Sequence, residues 1–360
     1  MFRCAVASLE RLAMERVRWA FSYGTWVPRR EDWLLSMCVV QPEERERIEQ
    51  FVFRRDAKAA VAGRLLIRKL IAEKLKIPWN EIKLQRTSKG KPVLANDLSS
   101  AHSSFSFNVS HQGNYAVLAA EPDCQAGIDI TKTSMPGSGS IPDFFRIMKR
   151  QFTEEEWRAI KSMNSEWLQL DMFHRHWALK ESFIKAVGVG IGFDLQRIEF
   201  NVSPLQLEVG KTYNETVLLL DGEEEKEWSF EETRLDDCHH VAVALGKPGV
   251  FGEKPAAVLS SAATQTTFTT LTFDDLIREA AFARREAEST HKGRTLFSFP
   301  AVNLKTGFRR GKTVGFSALW LSSYYYQLLN LCISFLQIQS RERKKGMMLA
   351  DFKNITSILI

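Results

Sequence analysis

The sequence predicts an α+β fold, α/β sandwich-like, in two similar halves followed by an unrelated C-terminal tail. Three observations predict it. A basic amphipathic helix, a short turn and a strand occur in that order twice, with the turns written Ile77-Pro78-Trp79-Asn80 and Ile191-Gly192-Phe193-Asp194. Each half closes on an apolar strand, at 115–120 and 240–245. After Gly246 the composition turns to Pro, Gly, Ala, Ser and Thr through 247–267, as in a linker. These features divide the chain into 13–125, 126–246 and 247–360.

The elements follow from local pattern. Gln41-Pro42-Glu43-Glu44 opens a helix with acids in its first turn. Over 56–75, Ala60, Gly63, Leu66, Ile67, Leu70 and Ile71 recur at helical spacing until Pro78 stops the helix. A short strand is expected at 80–85. Residues 105–110 alternate apolar and polar, a strand signature. Strands follow at 115–120 and 126–130, a helix at 177–187 ended by Gly188, and a strand at 197–200. Asp221-Gly222 predicts a hairpin pairing 217–220 with 227–230, and 240–245 is the last strand of the second half. Residues 273–288 read as one helix.

The chain has 360 residues, 44% hydrophobic and 26% charged, enough for two modest domains. Net charge is +6 and the sequence pI about 9.0, so anionic partners are expected. Helix-turn-helix, zinc and aromatic-interleaved basic patterns are missing, so nucleic acid is not among them. The five cysteines lack a CxxC pair, which argues against a disulfide framework or a zinc site and fits a reducing compartment. Arg3, Glu10, Arg11, Glu15 and Arg16 interrupt any leader-like apolar run, so a cytosolic protein is expected. Residues 313–340 carry no charge, but Gln327, Asn330 and Gln337 make them poor candidates for a membrane span.

Chemistry-bearing residues fall in separated clusters. Asn108-Val109-Ser110-His111-Gln112-Gly113 ends a strand with groups suited to a phosphate; a surface turn with a satisfied histidine is the alternative. Gly127-Ile128-Asp129-Ile130 places a carboxylate on a short strand, as a hard cation needs or as a turn cap. In Trp177-Ala178-Leu179-Lys180-Glu181-Ser182-Phe183-Ile184-Lys185, Glu181 and Lys185 share a helix face, either as a metal ligand beside a phosphate-directed cation or as a surface pair. Arg47 and the loop Arg86-Thr87-Ser88-Lys89-Gly90-Lys91 could surround an anionic ligand or be solvated surface.

In order and wording these clusters resemble the Sfp-type 4'-phosphopantetheinyl transferases. The likeness runs over roughly 17–277, including 50–70 and 86–92, and is lost beyond. The resemblance implies two α/β halves related by a pseudo-twofold with the site between them, acting as a monomer. It implies coenzyme A and Mg²⁺ as co-substrate and metal. Asp129 and Glu181 would hold the metal, and Lys185 would meet the phosphates. Arg47 and Arg86 would grip the ribose 3'-phosphate or its neighbours. Lys89, Gly90 and Lys91 would line the coenzyme, and Asn108, Ser110 and His111 would cradle phosphate. Glu181 is the expected base, and Lys180, adjacent to Glu181 and pointing elsewhere, ranks behind Lys185. Thr131 stands where bacterial members often carry a second acid, leaving water or Gln112 to complete the metal's shell. The implied partners are acyl carrier protein of fatty acid synthase and the carrier domain of an aminoadipate-semialdehyde dehydrogenase. A membrane-attached or inactive variant of the same domain is the alternative.

Overall fold

The computed structural model describes residues 15–88, 90–98, 105–135, 139–189, 193–246 and 266–289. Its first half runs through β1 (Val17–Phe21), α1 (Arg30–Cys38), α2 (Pro42–Glu49), α3 (Arg54–Lys74), the hairpin β2 (Leu84–Arg86) and β3 (Pro92–Leu94), then β4 (Ser106–Gln112) and β5 (Tyr115–Glu121). The second half runs through β6 (Gln125–Lys132), α4 (Ile141–Met148), α5 (Glu154–Lys161), α6 (Glu166–Val187), β7 (Ile198–Asn201), β8 (Thr212–Tyr213), β9 (Val217–Leu220), β10 (Glu223–Glu224), β11 (Trp228–Asp236) and β12 (His239–Gly246). Strand β13 (Thr269–Thr270) and helix α7 (Phe273–Ser289) follow.

The halves share a topology. One sheet has the order β13-β1-β5-β4, the other β6-β12-β11-β8. In each, the first strand pairs antiparallel with the last, and the last also closes a hairpin, so β1, β5 and β4 correspond to β6, β12 and β11. A long helix lies on each sheet: α3 on β4–β5, and α6 on β6–β12. The sheets face one another across Ala20, Val117 and Ala119 on one side and Ile128, Ile130, Val241 and Val243 on the other. Alternate residues of β5 serve the two faces, because strand side chains alternate: Leu118 joins the α3 core, and Val117 the seam.

The turns after the two long helices are secured alike. Arg68 on α3 gives its terminal nitrogens to Trp79 O and Ile82 O. Lys180 on α6 donates to Leu195 O at 2.8 Å and Ile198 O at 2.7 Å. Each cation thus ties its helix to a 3-10 turn, at 79–81 and 195–197. Lys180 also meets Glu156 at 2.7 Å and is 1% exposed, so its ammonium is consumed in the core.

Local expectations differ from the fold in several places. Helix α6 starts eleven residues before 177–187, because Ser165 Oγ caps it by accepting from Leu168 N. The turn at 79–81 replaces the start of the strand expected at 80–85. Asp221-Gly222 does make a tight turn, both residues at positive φ. However, its return strand is β10, directly after the two-residue loop, in a separate sheet of order β10-β9-β7, while 227–230 leads into β11 of the β6-β12-β11-β8 sheet.

The expected boundary at 246 also separates residues that pack together. Strand β13 adds in parallel to the edge of β1, and α7 lies on α3. Leu271, Leu276 and Ala280 enter the first core, Phe273 stacks on Trp26, and Glu279 meets Lys69 at 3.4 Å. Burying each of the two leucines stabilises by about 1.5–3 kcal/mol. A chain ending at 246 should therefore unfold at markedly lower urea than one ending at 289; equal midpoints would show that this segment does not stabilise the first half. Residues 313–340 lie outside the described residues, and among the described residues no helix is long and apolar enough to cross a membrane.

Candidate active site

Strand β6 is an edge strand, so its outward N–H groups need partners. Strand β4 supplies them from alternate side chains on one face. Ser106 Oγ accepts from Ala126 N at 3.1 Å, Asn108 Oδ1 from Ile128 N at 3.0 Å and Gln112 Oε1 from Lys132 N at 2.6 Å. Ser110, on the same face, donates to Asp129 Oδ1 at 2.8 Å. This polar ladder joins the halves and sets the height of Asp129.

On its other face β6 meets α6 at van der Waals limits. A Cβ on Gly127 would lie 2.1 Å from Ser182 O and 2.4 Å from Ala186 N. Only glycine permits this approach, and Gln125 Nε2 reinforces it by donating to Ala186 O at 2.5 Å. The stretch approached, Ser182 to Ala186, lies just beyond Glu181 and includes Lys185. Lys185 Nζ donates to Asp129 Oδ1 at 2.5 Å and to Ser110 Oγ at 2.9 Å, so Ser110, Asp129 and Lys185 form a closed triangle. Glu181, 3% exposed, stands one turn before Lys185 on the same helix face. The carboxylates of Asp129 and Glu181 and the Ser110 hydroxyl are oxygen donors, of the kind a hard divalent cation takes. The Lys185 contact shows the Asp129 carboxylate already turned towards positive charge.

A basic region adjoins this triangle. Glu44 Oε2 receives Arg86 at 2.9 Å and Arg64 Nε at 3.6 Å. Burial and neighbouring Arg86 pull Arg47 below the usual arginine range. The β2–β3 turn is held by Thr87 N donating to Lys91 O and Arg86 donating to Gly90 O at 3.0 Å; Gly90 adopts φ 79°. Lys91 Nζ reaches Lys185 O at 3.4 Å, which brings this loop to α6. Burial, then Lys185, Arg64 and Arg47, push the His111 imidazole down to about 4, so it is neutral at pH 7.

The structure thus brings together Asp129, Ser110, Lys185 and Lys91, with Glu181 on the Lys185 face and Arg47, Arg86 and His111 in the adjoining basic region. Lys89 lies outside the described residues. Asn108 is 5% exposed and its oxygen is taken by Ile128, so it acts on the site as a strut behind Asp129. Gln112, considered above for the metal's shell, has its oxygen on Lys132 N. Thr131 Oγ1 donates to His174 O at 2.9 Å and ties β6 to α6. Asp236, Cys238 and His239 form another cluster of ligand-type groups, within 4.8 Å of one another. There, His239 Nδ1 is on Asp236 at 2.7 Å and Nε2 accepts from Asn114 N, so the ring is consumed in joining the β11–β12 turn to the β4–β5 turn.

Comparison with known proteins identifies the chemistry. The model described as "4'-phosphopantetheinyl transferase, N-terminal" matches residues 24–123, and that of the "4'-phosphopantetheinyl transferase superfamily" matches 125–244. A Homo sapiens protein named L-aminoadipate-semialdehyde dehydrogenase-phosphopantetheinyl transferase is 65% identical over 271 residues, 74% of this chain and 87% of the relative. The chain belongs to the 4'-phosphopantetheinyl transferase superfamily. A Thraustochytrium phosphopantetheinyl transferase is 39% identical over 232 residues, covering 63% of this chain and 77% of that protein. The Bacillus subtilis 4'-phosphopantetheinyl transferase Sfp is 31% identical over 176 residues, 48% and 72% of the two chains. The matched regions meet at 123–125, where β5 passes into β6 and the first half into the second.

As a phosphopantetheinyl transferase, the chain holds site groups that motif reading did not single out. Ser106 and Gln125 fasten β6 from outside the three motifs. Arg64 joins the basic region from mid-α3. Its one local signal is a cation inside the buried run Val61-Ala62-Gly63-Arg64-Leu65-Leu66-Ile67.

Proposed function

We propose that this transferase takes coenzyme A and Mg²⁺, moves the 4'-phosphopantetheine arm to a serine of an acyl carrier protein or carrier domain, and releases 3',5'-ADP. The observation that carries the reading is the Ser110–Asp129–Lys185 triangle, with Glu181 on the Lys185 face and the arginines of α2, α3 and β2 alongside. Asp129 and Glu181 would hold Mg²⁺, which supplies charge neutralisation at the pyrophosphate. Glu181 takes the proton of the carrier serine as its oxygen attacks the phosphorus bearing pantetheine. The bond from that phosphorus to the bridging oxygen breaks, and the electron pair leaves on the 5'-phosphate of 3',5'-ADP. Lys185 and Lys91 meet the negative charge that develops there. Arg47 and Arg86 bind the adenosine end, with Gly90 giving the loop its close approach and His111, neutral when empty, accepting or donating at phosphate.

The nucleophile belongs to the partner, so none is required in this chain. Net charge +6 suits an acidic carrier domain. The mammalian relatives' name supports aminoadipate-semialdehyde dehydrogenase as one carrier, and acyl carrier protein of fatty acid synthase is the other carrier of this reading. Both halves of the site come from one chain, which suits a monomer, and the scattered cysteines without a CxxC pair suit the cytosol.

The test is the intact mass of an apo acyl carrier protein incubated with this protein, coenzyme A and Mg²⁺. A gain of one phosphopantetheine, abolished by chelation, is expected. An unchanged mass, with coenzyme A failing to bind, would end the coenzyme A reading.

A further inference from the structure

Two buried arginines stand one turn apart on α3 and are satisfied differently. Arg68 has both terminal nitrogens on carbonyls and its guanidinium over the Trp79 ring at 5.1 Å. Arg64, 8% exposed, has Glu44 as its ion-pair partner at 3.6 Å through Nε, while its Nη1 is buried without a hydrogen-bond partner among the described residues. An interior donor left unmet is costly, and a leucine at this point of an apolar run would avoid the cost. The unmet donor therefore calls for a partner that the described residues do not supply.

Its surroundings say what that partner is. Arg64 and Arg86 converge on the same Glu44 oxygen. Arg47, three residues after Glu44 on α2, adds a third cation close to both. Burial and these neighbours push the Arg64 guanidinium down to about 10. Three guanidiniums against one carboxylate leave a net charge of +2. A phosphate monoester carries close to two negative charges at neutral pH, whereas each phosphate of a pyrophosphate diester carries one. We infer that Arg64, with Arg47 and Arg86, forms the subsite for a terminal phosphate monoester, with the Arg64 Nη1 as a direct donor. This makes Arg64 a residue that distinguishes coenzyme A from dephospho-coenzyme A. The inference rests on the coenzyme A reading above and adds a residue to it.

Calorimetric titration of the full chain with coenzyme A and with dephospho-coenzyme A tests this, alongside thermal unfolding without ligand. Wild type should prefer coenzyme A at least tenfold. Arg64→Met should weaken coenzyme A about 10- to 100-fold and dephospho-coenzyme A less than about twofold. Unliganded, it should melt at or above the wild-type temperature, since a buried donor without a hydrogen-bond partner has gone while Glu44 keeps Arg86. Arg64→Lys, which keeps charge but loses the fork, should fall between. Equal losses for both ligands, an unchanged preference, or a lowered melting temperature with preference intact would each overturn the assignment. Should wild type bind neither ligand, the coenzyme A reading falls and this assignment with it. Should wild type discriminate and Arg64→Met discriminate equally, only the role of Arg64 falls.

Discussion

Glu181→Gln is expected to lower modification of a carrier serine by about 10³-fold or more, while leaving the urea unfolding midpoint within error of wild type. The substitution keeps the shape of a side chain that is 3% exposed, so packing of α6 on β6 survives. It removes a proton acceptor, a loss of roughly 10²–10⁴-fold for general-base catalysis. It also removes one of the two carboxylates proposed for the metal, which takes further electrostatic stabilisation from the pyrophosphate. Initial rates of mass gain on the carrier, measured at several Mg²⁺ concentrations, separate the two losses. Partial recovery at high Mg²⁺ would assign part of the effect to metal affinity. Normal turnover would remove Glu181 from the reaction, and a large drop in midpoint would make it a structural group.

Gly127→Val should be nearly as damaging, for a reason lying entirely in the backbone. The atoms a Cβ would strike, Ser182 O and Ala186 N, belong to the helix itself and cannot rotate away. Strand β6 must move off α6, and Asp129 moves with it relative to Glu181 and Lys185. A misplacement of about 1 Å is worth roughly 10²-fold in rate, and the strain costs on the order of 1–3 kcal/mol. Transfer should therefore fall by about 10²-fold in the fraction that remains folded, with a lowered unfolding midpoint. Gly127→Ala should show the same effects to a smaller degree. Wild-type rates in a folded Gly127→Val protein would show that strand–helix separation does not govern the site.

Much of this arrangement is written in short-range pattern. Helical spacing over 56–75 marks α3, alternation marks β4, and apolar runs mark β5, β6 and β12 within a residue or two of their observed ends. The recurrence of helix, turn and strand anticipates the shared topology of the halves, because similar local sequence builds similar units. Asp129, Glu181 and Lys185 are legible through the wording of their motifs, and Gly127 stands inside one of them. These are properties of neighbours in the chain.

What lies between distant segments was decided only on folding. The ladder from Ser106, Asn108 and Gln112 to β6 depends on β6 becoming a sheet edge and on β4 lying beside it. Neither sequence alone shows that an asparagine will meet a backbone N–H twenty residues away. Arg64 and Arg68 look equivalent one turn apart, yet only the fold supplies carbonyls to one and a single shared carboxylate to the other. The return of 266–280 to the first core, across a linker-like stretch, likewise rests on an exposed edge of β1 and an uncovered face of α3. By itself the sequence determined most of the elements, their order and the acids and cations proposed for the chemistry, since periodicity and motif act over a few residues. The tertiary structure alone decided which polar groups are struts and which are left to meet a ligand, since that depends on partners brought together by sheet closure and packing.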